Sequence, residues 1–338
     1  MLKQLGAVLL GLFAAPLSAQ TTAPASPPAA TAATPFPGAV WLTPPAPGRH
    51  PVIIVLGGSE GGAFVARSVT PVFAKLGYAT LGLPYYDPGY DPKDRVPGLP
   101  AAFVNIPVDR LEQVHAWLLK QPQVDPERIG VWGASKGAEF ALIAATRYPW
   151  IKAVVAIVPS DVVWEGWGAP GPSQPSFAVG GKPLPFQPYD GMTEMIAAAS
   201  KGGEWNLRKV HDAGRKRYPE RLAAARIPVE RFCGALLVAG GGQDKVWPSE
   251  EMAKNVAATR SKAGLPTVLL AFPDAGHALD GINQPAVEKL TPLGGTPAAI
   301  IAANTATWAA TQKLFAEALQ RGTPSDYCRA NASRAARP

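Results

Sequence analysis

The residues best suited to covalent chemistry lie in Gly133-Ala134-Ser135-Lys136-Gly137. A serine hydroxyl is a weak nucleophile until a neighbouring base takes its proton. Here the serine sits two residues from a glycine on each side, between an apolar run at 129–132 and a helix-like stretch from 138 to about 147. That is the pattern of a nucleophile elbow. Its cause is steric: so sharp a turn strains the backbone and crowds the flanking segments, and Gly133 and Gly137 carry no side chain to collide there. The turn predicts a Ser135 hydroxyl raised above a strand end. It also predicts that the amide of Lys136, at a helix N-terminus, can hold an oxyanion. In a chain with 34 glycines, a glycine-rich strand-to-helix turn with a serine N-cap gives the same letters; the strand before and the helix after favour the elbow.

A base must come from four histidines. His50 precedes the first strong strand, at the wrong end for a site above strand C-termini. His115 lies in an amphipathic stretch, and His211 in a segment of different composition. His277 follows the last strand candidate in a glycine-bearing turn, Phe272-Pro-Asp-Ala-Gly-His277, and is the expected base. The third member holds the imidazole and stabilises its positive form. Asp244, after a buried strand in Gly240-Gly-Gly-Gln-Asp244, is the expected orienter. A turn or N-cap residue is the plainer reading of it, and Asp161 is its main rival; Asp274 and Asp280 stand too near His277. No H-E-x-x-H or paired Cys/His spacing is present, so no metal and no cofactor is expected.

A second oxyanion donor is sought in Gly57-Gly-Ser-Glu-Gly-Gly62. As a phosphate loop it lacks the required Lys-Ser/Thr, since Ala63 and Phe64 stand there, and the dinucleotide fingerprint fails in register. The remaining reading is a loop whose backbone approaches substrate, with the amide of Ser59 or Glu60 as donor.

The elements that must position these groups alternate. Strand candidates are 51–56, 80–83, 129–132, 151–158, 234–239 and 267–272. Helix candidates are 69–76, 108–120, 138–147, 249–261 and 298–319. The alternation predicts an α/β protein with a mostly parallel, doubly wound sheet covered on both faces. From 161 to 226 the pattern changes to Gly, Pro and aromatic residues and reads as a cap insertion. Trp164 and Trp167 there are candidates to line a substrate pocket; equally, these aromatics are the cap's own core. The basic segment 209–221 is either a solvated helix face or a partner for a phosphate-bearing leaving group.

The chain of 338 residues is 47% hydrophobic and 17% charged, with 32 basic and 25 acidic residues and a net charge of +7. The charges are dispersed, so no nucleic-acid partner is expected. Residues 1–19 read as an export signal: Lys3, an apolar stretch from Leu5 to Ala15, then Leu17-Ser18-Ala19. The apolar run is too short for a permanent membrane span. Residues 20–48 read as a disordered Ala/Thr/Pro linker, 49–322 as the catalytic body and 323–338 as a tail. The expected location is periplasmic or secreted. There Cys233 and Cys328, the two cysteines, are either one disulfide tying tail to body or two unpaired thiols.

Four separated stretches then carry a resemblance. Pro51 to Gly62, Gly130 to Glu139, Ile151 to Ser160 and Asp244 to Ser249 together resemble the C-terminal catalytic domain shared by acyl-CoA thioesterases and bile acid-CoA:amino acid N-acyltransferase. The resemblance runs from about Arg49 to Leu319. It implies an α/β-hydrolase fold, related to dienelactone hydrolases, and acyl transfer from a small ester or thioester. Ser135 would be nucleophile, Asp244 orienter and His277 base. The amino-acid-conjugating members use a cysteine nucleophile; Ser135 points instead to water as acceptor and thus to hydrolysis. The animal members carry an N-terminal β-sandwich domain, in place of which this sequence reads as signal and linker. An export signal widens the expected substrate from acyl-CoA to acyl esters in general. The alternatives are an acyltransferase using an amine or alcohol acceptor, and a non-catalytic binding protein on the same fold.

Overall fold

The computed structural model describes residues 30–283, 285–321 and 327–328. The expected export signal at 1–19 and all of the tail except 327–328 lie outside them. The sheet strands are β1 (Ala30–Ala32), β2 (Val40–Thr43), β3 (His50–Leu56), β4 (Ala79–Gly82), β6 (Val124–Ala134), β7 (Ile151–Ile157), β10 (Ala235–Gly241) and β11 (Val268–Phe272). Their order is β1-β2-β4-β3-β6-β7-β10-β11. The six from β4 to β11 run parallel, and β2 and β1 are added antiparallel at one edge. This is the expected doubly wound α/β sheet.

Two faces follow from strand alternation. Val52, Ile54 and Leu56 of β3, with Leu236 and Val238 of β10, pack in one core. That core also takes residues of α2 (Arg110–Leu118), α3 (Lys136–Ala145) and α7 (Ser249–Lys262). Ile53, Val55, Leu237 and Ala239 point to the other, with Phe73 of α1 (Phe64–Lys75) and Phe315 of α8 (Pro297–Phe315). Because both faces are covered, the inner strands are continuous apolar runs rather than alternating ones.

The insertion at 161–226 contains β8 (Phe177–Val179), β9 (Lys182–Pro183), α4 (Met192–Ala199), α5 (Leu207–Arg217) and α6 (Pro219–Ala225). A short strand before α2, β5 (Ile106–Pro107), joins β8 and β9 in a second small sheet. Among the described residues no helix is long and apolar enough to cross a membrane.

The expected linker at 20–48 is corrected in its second half. β2 is part of the main sheet, and Phe36 and Trp41 are buried. Both rings meet the edge of Trp117 on α2, at centroid distances of 5.8 and 5.2 Å. An Ala/Thr/Pro composition lacks local drive to order, but two large apolar side chains find burial that composition averages away. The ordered body therefore begins before Arg49. β6 and α1 also start five residues ahead of the positions read from sequence.

Cys233 and Cys328 are joined by a disulfide with Cα atoms 5.2 Å apart. The strand entry beside it is held by Arg260 of α7, whose buried guanidinium donates to the carbonyls of Gly234 at 3.0 Å, Pro266 at 3.1 Å, Val229 and Phe232. The bridge closes a loop of sequence separation 95. Replacing Cys233 with serine is expected to cost about 2–4 kcal/mol. It should lower the melting temperature, measured by circular dichroism, by several degrees; an unchanged melting point would contradict it.

Candidate active site

Ser135 joins β6 to α3 with φ 55° and ψ −122°, a conformation costly for a residue with a side chain. Its neighbours explain how it persists. A Cβ on Gly133 would overlap the carbonyl of Gly137, and one on Gly137 would overlap the carbonyls of Leu56 and Gly57 at the end of β3. The start of α3 is thus pressed onto β3, and the Ser135 amide donates across to Ile157 at the end of β7, 2.9 Å away.

His277, past β11, lies with Nε2 3.0 Å from Ser135 Oγ and Nδ1 2.7 Å from Asp244 Oδ2. A carboxylate accepts only, so Nδ1 carries the proton and Nε2 is left to accept from the serine hydroxyl. Asp244 is buried, with every lobe of its carboxylate used. Oδ2 also accepts from the Ser249 hydroxyl at 2.6 Å, and Oδ1 from the amides of Val246 at 2.7 Å and Trp247 at 3.2 Å. Trp247 in turn sets its ring edge against His277, centroids 5.8 Å apart, and donates its indole N–H to the carbonyl of Val158. Val158 holds a positive φ of 43°, strained for a β-branched residue.

The rivals are elsewhere. Asp161 accepts from Arg215 and from Asn255. His50 binds the carbonyl of Ala46, and His115 stacks on Trp150.

The amides of Lys136 and Ser59 have no partner among the described residues, and both residues line one cavity with Ser135. Of the two candidate donors, Ser59 lines the cavity with Ser135 and Glu60 is not among its lining residues. The Glu60 carboxyl turns back on the loop, where Oε1 accepts from Gly58 N at 2.7 Å, and its own amide is the second backbone group that acts on it. Burial pushes the Glu60 carboxyl up to about 7, against those two amide bonds and the nearby His277.

The cavity has a volume of about 540 Å³. Trp167, Tyr189, His211, Tyr218 and Trp247 line it, beside the first turn of α4. Of the two tryptophans read as pocket residues, Trp167 reaches it and Trp164 does not: Trp164 is wholly buried behind Tyr189, on which it stacks. Periodicity cannot separate wall from backing in a segment so poor in regular structure. Below the cavity, Lys136 Nζ donates to Glu139 Oε2 and Ser176 Oγ, each at 2.8 Å, while Glu139 Oε1 accepts from the amide of Trp164. Burial lowers the Lys136 pKa and raises that of Glu139, and their pairing opposes both shifts. Among the residues of 209–221, Lys209 pairs with Glu204 at the surface and Arg215 with Asp161. His211, Trp247, Ser249 and the Glu60 carboxylate carried no spacing signal in the sequence.

The model of the family described as BAAT / Acyl-CoA thioester hydrolase C terminal matches residues 106–321. Acyl-coenzyme A amino acid N-acyltransferase 2 of Rattus norvegicus is 28% identical, the match covering 83% of this chain and 63% of that protein. Acyl-coenzyme A thioesterase 1 of Rattus norvegicus is 28% identical, over 72% of this chain and 52% of its own. Bile acid-CoA:amino acid N-acyltransferase of Mus musculus is 27% identical, over 72% and 52%. The chain thus spans about half to under two thirds of the length of these relatives. Among solved structures, an esterase of Pyrobaculum calidifontis superposes with a TM-score of 0.52 at 14% identity, covering 94% of this chain and 92% of that one. A puromycin-hydrolyzing peptidase of Mycobacterium tuberculosis gives 0.51 at 14%, covering 85% and 38%. These likenesses show the fold, an α/β-hydrolase fold.

Glu60 gives a signed expectation. The folded chain holds its proton up to about pH 7, against an ordinary value of 4.5. Its contribution to stability is full below about pH 4.5 and is lost as pH rises through 7. Glu60→Gln should therefore flatten the fall in melting temperature between pH 5 and pH 8; equal slopes in variant and wild type would contradict this.

Proposed function

The chain belongs to the BAAT / acyl-CoA thioester hydrolase C-terminal family, and from that premise we propose that it is a serine hydrolase of acyl esters or thioesters. The relay of Asp244, His277 and Ser135, with contacts of 2.7 and 3.0 Å beside the cavity, is the observation that carries this reading. Ser135 Oγ attacks the acyl carbonyl as His277 Nε2 takes its proton. Asp244 stabilises the imidazolium that forms. The amides of Lys136 and Ser59 receive the developing oxyanion. Collapse of the tetrahedral intermediate breaks the bond to the leaving group, which takes the proton from His277 and leaves an acyl-enzyme. Water, activated by the same imidazole, releases the acid and restores the serine. No cofactor enters this sequence.

A second reading, transfer of the acyl group to an amine or alcohol, is favoured by the relatives named N-acyltransferases. The serine nucleophile supports hydrolysis over it. We also propose export from the cytoplasm, on the leader-like pattern of residues 1–19; the Cys233–Cys328 disulfide supports an oxidising compartment.

Ser135→Ala should reduce hydrolysis of short p-nitrophenyl esters by several orders of magnitude and abolish labelling by a fluorophosphonate probe, with an unchanged circular dichroism spectrum. Activity that survives the substitution would sink the reading. Product analysis with an amine acceptor present separates the two activities: free acid alone excludes transfer.

Asp244→Asn should keep the fold and cost about 10⁴ in turnover, since the asparagine favours the wrong imidazole tautomer. Steady-state kinetics on the same ester checks it, and a loss of less than tenfold would deny Asp244 its role.

A further inference from the structure

His211 is a second imidazole in the same cavity, and the relay does not use it. It lies on α5 with its ring almost wholly buried. Three aromatic rings meet it edge to face: Trp164 at 4.5 Å, Tyr189 at 5.0 Å and Trp247 at 5.7 Å between centroids. Trp247 also meets the His277 ring, so one indole contacts both imidazoles.

The protonation of His211 follows from its one hydrogen bond. Nδ1 lies 2.8 Å from the carbonyl oxygen of Leu207, one turn back along α5. A carbonyl only accepts, so Nδ1 carries the hydrogen. Burial, with the nearby charges of Lys136 and Arg215, pushes its pKa down to about 3, so the ring is neutral across the working range. Nε2 is then a bare acceptor. It has no hydrogen-bond partner among the described residues, and His211 lines the cavity that holds Ser135. A phenylalanine would fill this aromatic nest without the cost of desolvating an acceptor, about 1–3 kcal/mol when it goes unpaired. The acceptor makes sense where a ligand pairs it.

We propose that His211 is a specificity-determining residue: its Nε2 accepts a hydrogen bond from a hydroxyl or amide N–H of the substrate. This selects acyl esters or thioesters that carry a donor on the cap side of the scissile carbonyl. It rests on the reading of Ser135 as nucleophile. The donor can sit on the acyl chain or on the leaving group, and the chemistry at Nε2 is the same for both. A substrate that lacks the donor leaves a buried acceptor unpaired, which is why such sites discriminate more sharply than apolar pockets do.

The test uses matched substrate pairs. In one arm, straight-chain acyl esters are compared with and without a hydroxyl placed in turn along the chain, followed by acid release. In the other, N-acetylcysteamine thioesters, whose leaving group has an amide N–H, are compared with alkyl thioesters of the same length. The wild-type chain should favour the donor-bearing partner in at least one arm by roughly tenfold or more in kcat/KM. His211→Phe should erase that ratio, and His211→Gln, which offers an amide oxygen, should restore part of it. Titration calorimetry of the same pairs against Ser135→Ala protein reads the preference without turnover. No preference in either arm, or a preference that survives His211→Phe, would overturn the inference. Failure of the underlying reading would look different: wild-type protein unlabelled by a fluorophosphonate, with calorimetry still reporting whether the donor is recognised.

Discussion

The close backbone approach between the start of α3 and the end of β3 shapes what stands around Ser135. Gly137 rests on the carbonyls of Leu56 and Gly57 with no room for a side chain. Two consequences follow from that one contact. The chain can turn from β6 into α3 only through the strained conformation of Ser135, which exposes its hydroxyl at the strand ends. The loop that leaves β3 is also brought beside the serine, since a Cβ on Gly58 would lie 3.1 Å from the Cβ of Ser135. Ser59 then shares a cavity with Lys136, and two amides that belong to distant parts of the chain stand available near one hydroxyl. The geometry comes from packing of main chain on main chain, which side-chain motion cannot relax.

The elbow is also bound to the cap, through buried charge. Lys136 follows the serine directly, and its ammonium is taken up by Glu139 and by Ser176 of the insertion. Phe103, Trp167 and Trp247 present their rings to it at 5.6–5.7 Å. Glu139 reaches the insertion too, through the amide of Trp164. A buried pair of this kind adds little net stability compared with apolar packing, but losing either partner strands the other in a medium that cannot solvate it. Its evident effect is geometric: the wall of the cavity is fixed relative to the helix that follows Ser135.

These facts explain which parts of the site could be read from the sequence. Ser135 was legible because the steric demand on an elbow writes itself as glycines at fixed spacing. Asp244 and His277 were legible because a parallel sheet gathers its loops at one rim, so a residue just after a strand has a known place. The choice between Ser59 and Glu60 stayed open because a loop's sequence does not say how it folds back on itself; the Glu60 carboxyl turns back on Gly58. Trp164 and Trp167 could not be told apart because a tryptophan forming a cavity wall and one behind that wall have the same letters around them. The strand at Val40–Thr43 was hidden because its burial depends on Trp117, far along the chain.

His211 and His277 show how far one hydrogen bond decides what an imidazole can do. Both donate from Nδ1 to an oxygen, and both touch Trp247. The difference lies in the acceptor. In the proposed reaction the Asp244 carboxylate would stabilise the imidazolium formed when Nε2 takes a proton. The Leu207 carbonyl is a dipole that helps far less, and burial among three aromatic rings opposes any charge there. In the reaction proposed above, Nε2 of His277 would take and return a proton, while Nε2 of a neutral His211 would accept a hydrogen bond. In the roles proposed for them, two imidazoles in contact with one indole divide between chemistry and recognition according to what stands behind each.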